Sequence, residues 1–160
     1  MNLNDHFAAE LKWSQDILKN HVADLSDADL LVRPVPGANH ANWQLGHLIC
    51  AEVGIYTGCG AKMPELPAGF KDMYGTKGSH ASDDAGKLAK KADLLALFDK
   101  VRAASIEWVK TVTPQQFEAK GPVDFIPNVA AAAGLGSVHL AMHLGQIQVL
   151  RRKLGKPVIF

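Results

Sequence analysis

Two histidines four residues apart, His139 and His143, are the part of this sequence best suited to chemistry. At that spacing both imidazole rings project from one face of an α-helix, so they can bind the same metal ion. Neutral imidazole is a ligand for zinc, nickel, copper and iron(II). The glutamate that zinc proteases carry after the first histidine is absent, because Leu140 stands there. The pair alone therefore indicates either a metal site or two core histidines.

A third histidine, His47, strengthens the metal interpretation. It shares one face of another predicted helix with Trp43, Ala51 and Gly54, which are apolar or small. A histidine turned inward needs a polar partner, since an unsatisfied buried polar group costs free energy. The alternative is a core histidine bonded to a carbonyl group. Three converging imidazoles would instead form a metal site with one position open to water or substrate.

Several residues near these histidines have two possible roles. His40 lies about two turns before His47, where it can either support the site or begin the helix. Gln146 lies one turn beyond His143, where it can bond a metal-bound water or fill a polar gap. Trp43 is expected in the core rather than stacked on a substrate. Cys50 is expected to be a buried apolar residue.

Charged residues contribute less to the predicted site. Glu52 points about 140° away from His47 on a helix, so it is not expected to be a ligand. The basic run Arg151–Lys153 can attract an anionic substrate, but a solvated helix end favoured by the helix dipole is the preferred interpretation. The remaining histidines singled out are expected at the surface: His6, His21 and His80.

Hydrophobic periodicity predicts four long helices and no strands. Asn2 or Asn4 is the predicted cap of the first helix, and Gly155 is the predicted stop of the last. Their approximate bounds are Leu3 to Leu25, His40 to Thr57, Asp84 or Ala92 to Thr111, and Asn128 to Leu154. Short turns are expected near 26–29 and 113–117, with loops at 58–85 and 121–127. These elements predict an all-α four-helix bundle with long connecting loops, forming one domain over residues 1–160, with the 58–85 loop lying over one end.

Composition excludes several classes of function. The net charge is +1 and only 7% of the 160 residues are aromatic, so nucleic-acid binding is not expected. No apolar run approaches the roughly 18 residues of a membrane span. The two cysteines, Cys50 and Cys59, are too few and too close to predict a secreted disulfide framework, and the first residues are not expected to form a secretory signal. A cytoplasmic location is therefore expected.

Two segments carry a family resemblance. Residues 39–48, Asn-His-Ala-Asn-Trp-Gln-Leu-Gly-His-Leu, resemble the second helix of the DinB-like (damage-inducible) metalloprotein family. Residues 138–147, Val-His-Leu-Ala-Met-His-Leu-Gly-Gln-Ile, resemble that family's last helix, as do Arg151-Arg152 and Leu154-Gly155 after them. Helix order and length match over most of the chain, whereas the 58–85 and 121–127 loops carry no family signal.

The resemblance implies a helical bundle of unusual connectivity with one divalent metal, zinc, nickel or iron(II), bound by His47, His139 and His143. It also implies a homodimer. Characterised members of the family include thiol S-transferases that use bacillithiol or mycothiol, and a mycothiol-dependent isomerase. The expected cofactors are therefore the metal and a low-molecular-weight thiol, with a small electrophile as the second substrate.

Three functional hypotheses follow, because one fold hosts several activities. The first is a metal-dependent thiol S-transferase. The second is a metal-dependent hydrolase, for which His40 and Gln146 are the available candidate bases. The third is a non-catalytic, metal-stabilised, stress-related dimeric protein.

Overall fold

Helices make up nearly all of the regular structure in a computed structural model that describes residues 2–75, Ser82 and 85–159. The expected surface position of His80 and the alternative helix start at Asp84 lie outside the described residues. Four helices are long: α1 (Leu3–Val22), α3 (Ala41–Gly58), α5 (Lys91–Thr111) and α7 (Val129–Lys153). Three are short: α2 (Asp27–Leu30), α4 (Phe70–Tyr74) and α6 (Pro114–Glu118). The predicted all-α class is confirmed, with no strand among the described residues and an isolated bridge between Lys120 and Asn128.

The four long helices form a square in which α1 and α3 occupy opposite corners. Helix α1 packs against α5 and α7, and α3 packs against the same two helices. Helices α1 and α5 are antiparallel, since Asn4 donates to the Val109 carbonyl over 2.7 Å and Lys19 pairs with Asp99 at 2.8 Å. No helix in the described part of the chain is long and apolar enough to cross a membrane.

Side-chain contacts also give the directions of α3 and α7. Tyr56 donates to the Ala133 carbonyl over 2.9 Å, while Gln44 lies near the other end of α7, so α3 and α7 are antiparallel. At the C-terminal end of α7, Arg151 donates over 2.8 Å to the carbonyl of His21, near the end of α1. Helices α1 and α7 are therefore parallel neighbours, and so are α3 and α5. A bundle of this kind requires a long crossover between α3 and α5.

The crossover between α3 and α5 packs along the side of α3. The prediction had placed this segment over one end of the bundle. Within it, α4 places Tyr74 against Gly46, where a Cβ atom would lie 2.2 Å from the tyrosine ring. The Tyr74 hydroxyl donates to Asn42 over 3.1 Å and accepts from the Ala89 backbone over 2.9 Å. A short 3-10 turn, Ala85–Lys87, precedes α5. The helix and the turn were not predicted, because their contacts join residues far apart in the sequence.

Apart from the C-terminal end of α1, the bounds of the long helices lie within one residue of the predictions. Asn2 caps α1 and Asn128 caps α7, each through a side-chain oxygen that accepts a backbone N–H. Helix α1 ends at Val22 rather than Leu25, because Lys91 donates to the carbonyls of Val22 and Ala23 over 3.2 Å and so completes the helix end.

Two surface predictions at this end of the bundle were wrong. His21 is 1% exposed, and its Nδ1 lies 2.8 Å from the Ile17 carbonyl oxygen. Arg151 is buried rather than solvated, and its guanidinium bonds the Asp24 carboxylate and the carbonyls of His21 and Pro157. Arg151 therefore fastens the end of α7 to the end of α1, whereas Arg152 and Lys153 are exposed as expected.

One buried ion pair joins all four long helices. Arg102 of α5 donates to Glu52 of α3 over 2.8 Å, and neither side chain is more than 4% exposed. The same guanidinium donates to Leu11 and Ser14 of α1 over 3.1 Å and to the Gly136 carbonyl of α7 over 3.2 Å. Because each bond fixes one helix relative to Arg102, this cluster sets the register of the bundle.

Replacing Arg102 by methionine should therefore lower the free energy of unfolding substantially. Glu52 would stay buried without its cation, which typically costs about 3–5 kcal/mol. Urea denaturation of Arg102→Met should show this loss, and Glu52→Leu/Arg102→Met should recover much of it. Lys19→Met is the matched control, since its exposed pair with Asp99 is worth at most about 1 kcal/mol. Equal stability of Arg102→Met and Lys19→Met would contradict the role given to the buried pair.

Candidate metal site

The three predicted ligands meet in the seam between α3 and α7. One ring nitrogen from each of His47, His139 and His143 lies within 4.8 Å of the corresponding nitrogens of the other two. The Nε2 atoms of His139 and His143 are 3.2 Å apart, which follows from their spacing of four on α7. His143 is buried, whereas His47 and His139 are half-buried. The structure thus brings together the three residues, and metal binding by them stays a prediction.

His143 is held by Gln44, which sequence reasoning did not single out. Gln44 donates its amide N–H to the Asn39 carbonyl over 2.9 Å, which leaves its Oε1 as an acceptor. That oxygen lies 3.2 Å from His143 Nδ1, so Nδ1 carries the proton and donates. Nε2 of His143 then presents its lone pair toward His139. A hydrogen bond to the far nitrogen is the usual way proteins orient a metal-binding histidine.

His47 is held mainly by packing. Its ring stacks on Trp43, with centroids 4.7 Å apart and planes within 7° of parallel. Trp43 is buried, as expected, and also contacts the site. His47 Nδ1 is buried and has no hydrogen-bond partner. A buried nitrogen without a hydrogen bond typically costs about 1–3 kcal/mol, so this imidazole fits a cation-binding group.

The surroundings keep these imidazoles neutral. Burial, and then the neighbouring histidines, lower the pKa of His139 and of His143 to about 4. Burial also lowers the pKa of His47, partly opposed by the backbone of Tyr74. Metal ligands must be neutral imidazoles, so three unprotonated rings at neutral pH match the donor set that zinc, nickel or iron(II) requires.

The other candidates have separate roles. His40 caps α3: its Nδ1 accepts from the Trp43 backbone N–H over 3.1 Å, and its Nε2 therefore donates to the Ser82 carbonyl at 2.9 Å. Of its two predicted roles, His40 thus takes the one at the helix start. Gln146 is exposed, and Glu52 pairs with Arg102. Cys50 is half-buried and lies outside the cluster.

A cleft of about 470 Å³ lies beside α3 but is separate from this site. Val53 and Thr57 of α3 form one wall, and residues of the 63–72 segment form the other. None of the three histidines lines it.

Comparisons with known proteins agree with this fold. A family model described as the DinB superfamily matches residues 10–147. A solved structure from Enterococcus faecalis, described as a "conserved protein of locus", superposes on this chain with a TM-score of 0.70. The alignment covers 98% of this chain and 99% of that chain at 14% identity, so the likeness concerns the fold. No curated protein matches the sequence.

Removing the Gln44 hydrogen bond should weaken metal binding without removing a ligand. Gln44→Leu should raise the dissociation constant for zinc by about 10- to 100-fold, because His143 loses its orienting acceptor. Gln146→Leu is the matched control, since that exposed glutamine also lies one turn from His143. Competition with a chromophoric chelator measures both. Equal affinities of the two variants would contradict the orienting role.

The metal-free protein should lose stability below neutral pH. The unfolded chain binds protons to His139 and His143 near pH 6.5, whereas the folded chain resists them until about pH 4. The free energy of unfolding should therefore fall as pH falls from 7 to 4.5. Urea unfolding in the presence of a chelator checks this, and His139→Leu should flatten the dependence, whereas the exposed control His6→Leu should not. A pH-independent parent would contradict the burial of these rings.

Proposed function

This chain belongs to the DinB superfamily, and we propose that it is a divalent-metal protein that transfers a low-molecular-weight thiol to a small electrophile. The observation that carries the proposal is the cluster of three neutral imidazoles from α3 and α7. His47, His139 and His143 would hold zinc, nickel or iron(II), with Gln44 and Trp43 fixing two of the rings.

When bound there, a divalent ion supplies positive charge that lowers the pKa of a coordinated thiol. The chain's residues keep the ligand nitrogens unprotonated and exclude water from most of each ring. In the transfer, the thiol sulfur forms a bond to the electrophilic carbon as the leaving group departs with its bonding electrons. The thiol proton passes to water.

The protonation state of the chain's own cysteines favours an external thiol as the nucleophile. Burial raises the pKa of Cys50 to about 11, and burial also raises the pKa of Cys59. Because the thiolate is the nucleophile, a raised pKa disfavours both side chains as the attacking sulfur at neutral pH. This supports a bound small molecule as the source of the attacking sulfur.

The lack of a general base makes hydrolysis the weaker hypothesis. Among the described residues, no carboxylate joins the histidine cluster, and the nearby Glu52 is held by Arg102 and Ser105. His40 has both ring nitrogens engaged, and Gln146 is exposed. A metal-dependent hydrolase needs a group to receive a proton from water, whereas a thiol can lose its proton directly to solvent.

Cobalt(II) substitution tests the proposal with a spectroscopic readout. Adding cobalt(II) to the metal-free protein should produce visible absorption, and adding cysteine or glutathione should then produce a sulfur-to-cobalt charge-transfer band. Cys50→Ser/Cys59→Ser should behave identically, because the sulfur is external. Product formation from a thiol and a panel of alkyl halides and epoxides, followed by mass spectrometry, completes the test.

The outcomes separate the hypotheses. No cobalt spectrum would overturn the metal site. A cobalt spectrum that no thiol perturbs would overturn thiol transfer. Turnover of esters or amides in that case would favour the hydrolase, and no turnover would favour a non-catalytic role.

A further inference from the structure

Tyr74 joins the crossover between α3 and α5 to the helix that carries His47. Its side chain is only 2% exposed, although the helix on which it lies, α4, is five residues long. The ring lies directly on Gly46, the residue before His47, and a side chain at that position would collide with it. The crossover therefore contacts the α3 backbone immediately beside a predicted metal ligand.

A closed set of hydrogen bonds holds Tyr74 in this place. Its hydroxyl donates to the Asn42 side-chain oxygen over 3.1 Å and accepts from the Ala89 backbone N–H over 2.9 Å. The Asn42 amide in turn donates to the Ala89 carbonyl over 2.8 Å. Asn42 lies one turn before Gly46 on α3, and Ala89 lies just before α5. One hydroxyl thus fastens both α4 and the end of the crossover to α3.

Tyr74 also acts on the His47 ring itself. The backbone of Tyr74 raises the pKa of His47, which is the effect of a carbonyl oxygen that faces a ring N–H. A proton held on one ring nitrogen leaves the other with its lone pair, as a metal ligand requires. The same ring stacks on Trp43 of α3. One group from α3 and one from the crossover therefore act on this imidazole.

A second attachment of the crossover reaches the same part of α3. His40 donates from Nε2 to the Ser82 carbonyl over 2.9 Å, and its Nδ1 accepts from the Trp43 backbone N–H over 3.1 Å. Trp43 carries the ring that stacks on His47. The crossover thus contacts α3 repeatedly within residues 40–46, the turns that lead into His47.

We propose that Tyr74 is a positioning residue for the metal site, which holds the His47 ring in its metal-binding orientation by fastening the crossover to α3. This inference rests on the metal binding that forms part of the proposed function, and it is independent of thiol transfer. Because coupling between two sites is reciprocal, a metal ion bound by His47 should also strengthen the attachment of the crossover. A Tyr74 that merely stabilised the fold would show neither effect.

Zinc titration of two tyrosine variants tests the positioning role. Tyr74→Phe keeps the ring on Gly46 and removes the hydroxyl bonds, so it should raise the zinc dissociation constant by about tenfold or more. Tyr56→Phe is the matched control, because it also removes a buried hydroxyl bond, made from α3 to the Ala133 carbonyl over 2.9 Å. Urea denaturation of the metal-free proteins should show a loss of stability in both variants, whereas competition with a chromophoric chelator should show weaker zinc binding in Tyr74→Phe alone.

Two glycine variants test the same contact without changing the tyrosine. Gly46→Ala should weaken zinc binding more than Tyr74→Phe does, since the added Cβ would lie 2.2 Å from the Tyr74 ring and displace it. At Gly54, also on α3, an added Cβ would meet nothing within 4 Å, so Gly54→Ala should bind zinc like the parent. Circular dichroism verifies that both variants keep the helical content of the parent.

Amide hydrogen exchange measures the reciprocal effect. Zinc should slow exchange of the Ala89 amide, which is bonded to the Tyr74 hydroxyl, by roughly the factor that Tyr74→Phe loses in zinc affinity. The Val129 amide, which donates to the Ala119 carbonyl over 3.0 Å at the start of α7, is the control for a general gain in stability. The slowing should be larger at Ala89 than at Val129 in the parent, and Tyr74→Phe should lose the excess.

The outcomes separate this inference from the metal site on which it rests. Zinc binding that Tyr74→Phe and Tyr56→Phe weaken equally would overturn the positioning role. Equal slowing of exchange at Ala89 and Val129 would overturn the coupling between the metal and the crossover. A parent that binds no zinc would overturn the metal site of the proposed function, and this inference with it.

Discussion

The ion pair of Arg102 and Glu52 is the constraint on which this structure depends. A guanidinium group without solvent must bond to several acceptors, and here the acceptors come from α1, α3 and α7. The pair lies less than two turns along α3 from His47, and its α7 acceptor, Gly136, lies one turn from His139. Sliding either helix would break these bonds and separate the imidazoles. The bundle thus positions its histidines through a polar interaction, while the apolar core supplies the driving force for folding.

Burial gives the site its chemical character. At the α3–α7 seam, burial lowers the pKa of His139 and of His143, so these rings stay neutral. Beside the crossover, burial raises the pKa of Cys50, so that thiol stays protonated. A neutral imidazole can donate its lone pair to a cation, whereas a protonated thiol is a poor ligand and a poor nucleophile. The seam therefore offers three neutral imidazoles to a metal ion, and the protonated Cys50 is consistent with the external thiol proposed above.

Sequence reasoning reached the ligands because they follow local rules. The spacing of His139 and His143 is a property of one helix, and the position of His47 on an apolar stripe is a property of another. Gln44, in contrast, points toward His143 only because α3 and α7 are antiparallel, and the sequence alone does not contain that direction. Arg102 was also missed, although an arginine among the apolar positions of α5 and a lone glutamate in α3 were available signals.

The errors have a similar origin. Arg151 and His21 looked like surface residues because each lies near a helix end, where solvent is the usual partner. In the fold these two ends meet, so the partners of Arg151 are Asp24 and backbone carbonyls. The path of the crossover depends on contacts such as Tyr74 with Gly46, which join residues 28 positions apart and have no local pattern.

Elemental analysis of the purified protein, without an affinity tag, tests the central claim most directly. The parent should contain about one divalent metal ion per chain after reconstitution with zinc, nickel or iron(II), and His47→Ala and His143→Ala should each lose it. His6→Ala, which removes an exposed histidine that is not part of the cluster, should retain it. No metal in the reconstituted parent, or equal metal in all four proteins, would show that the three imidazoles are ordinary core residues and would contradict the account.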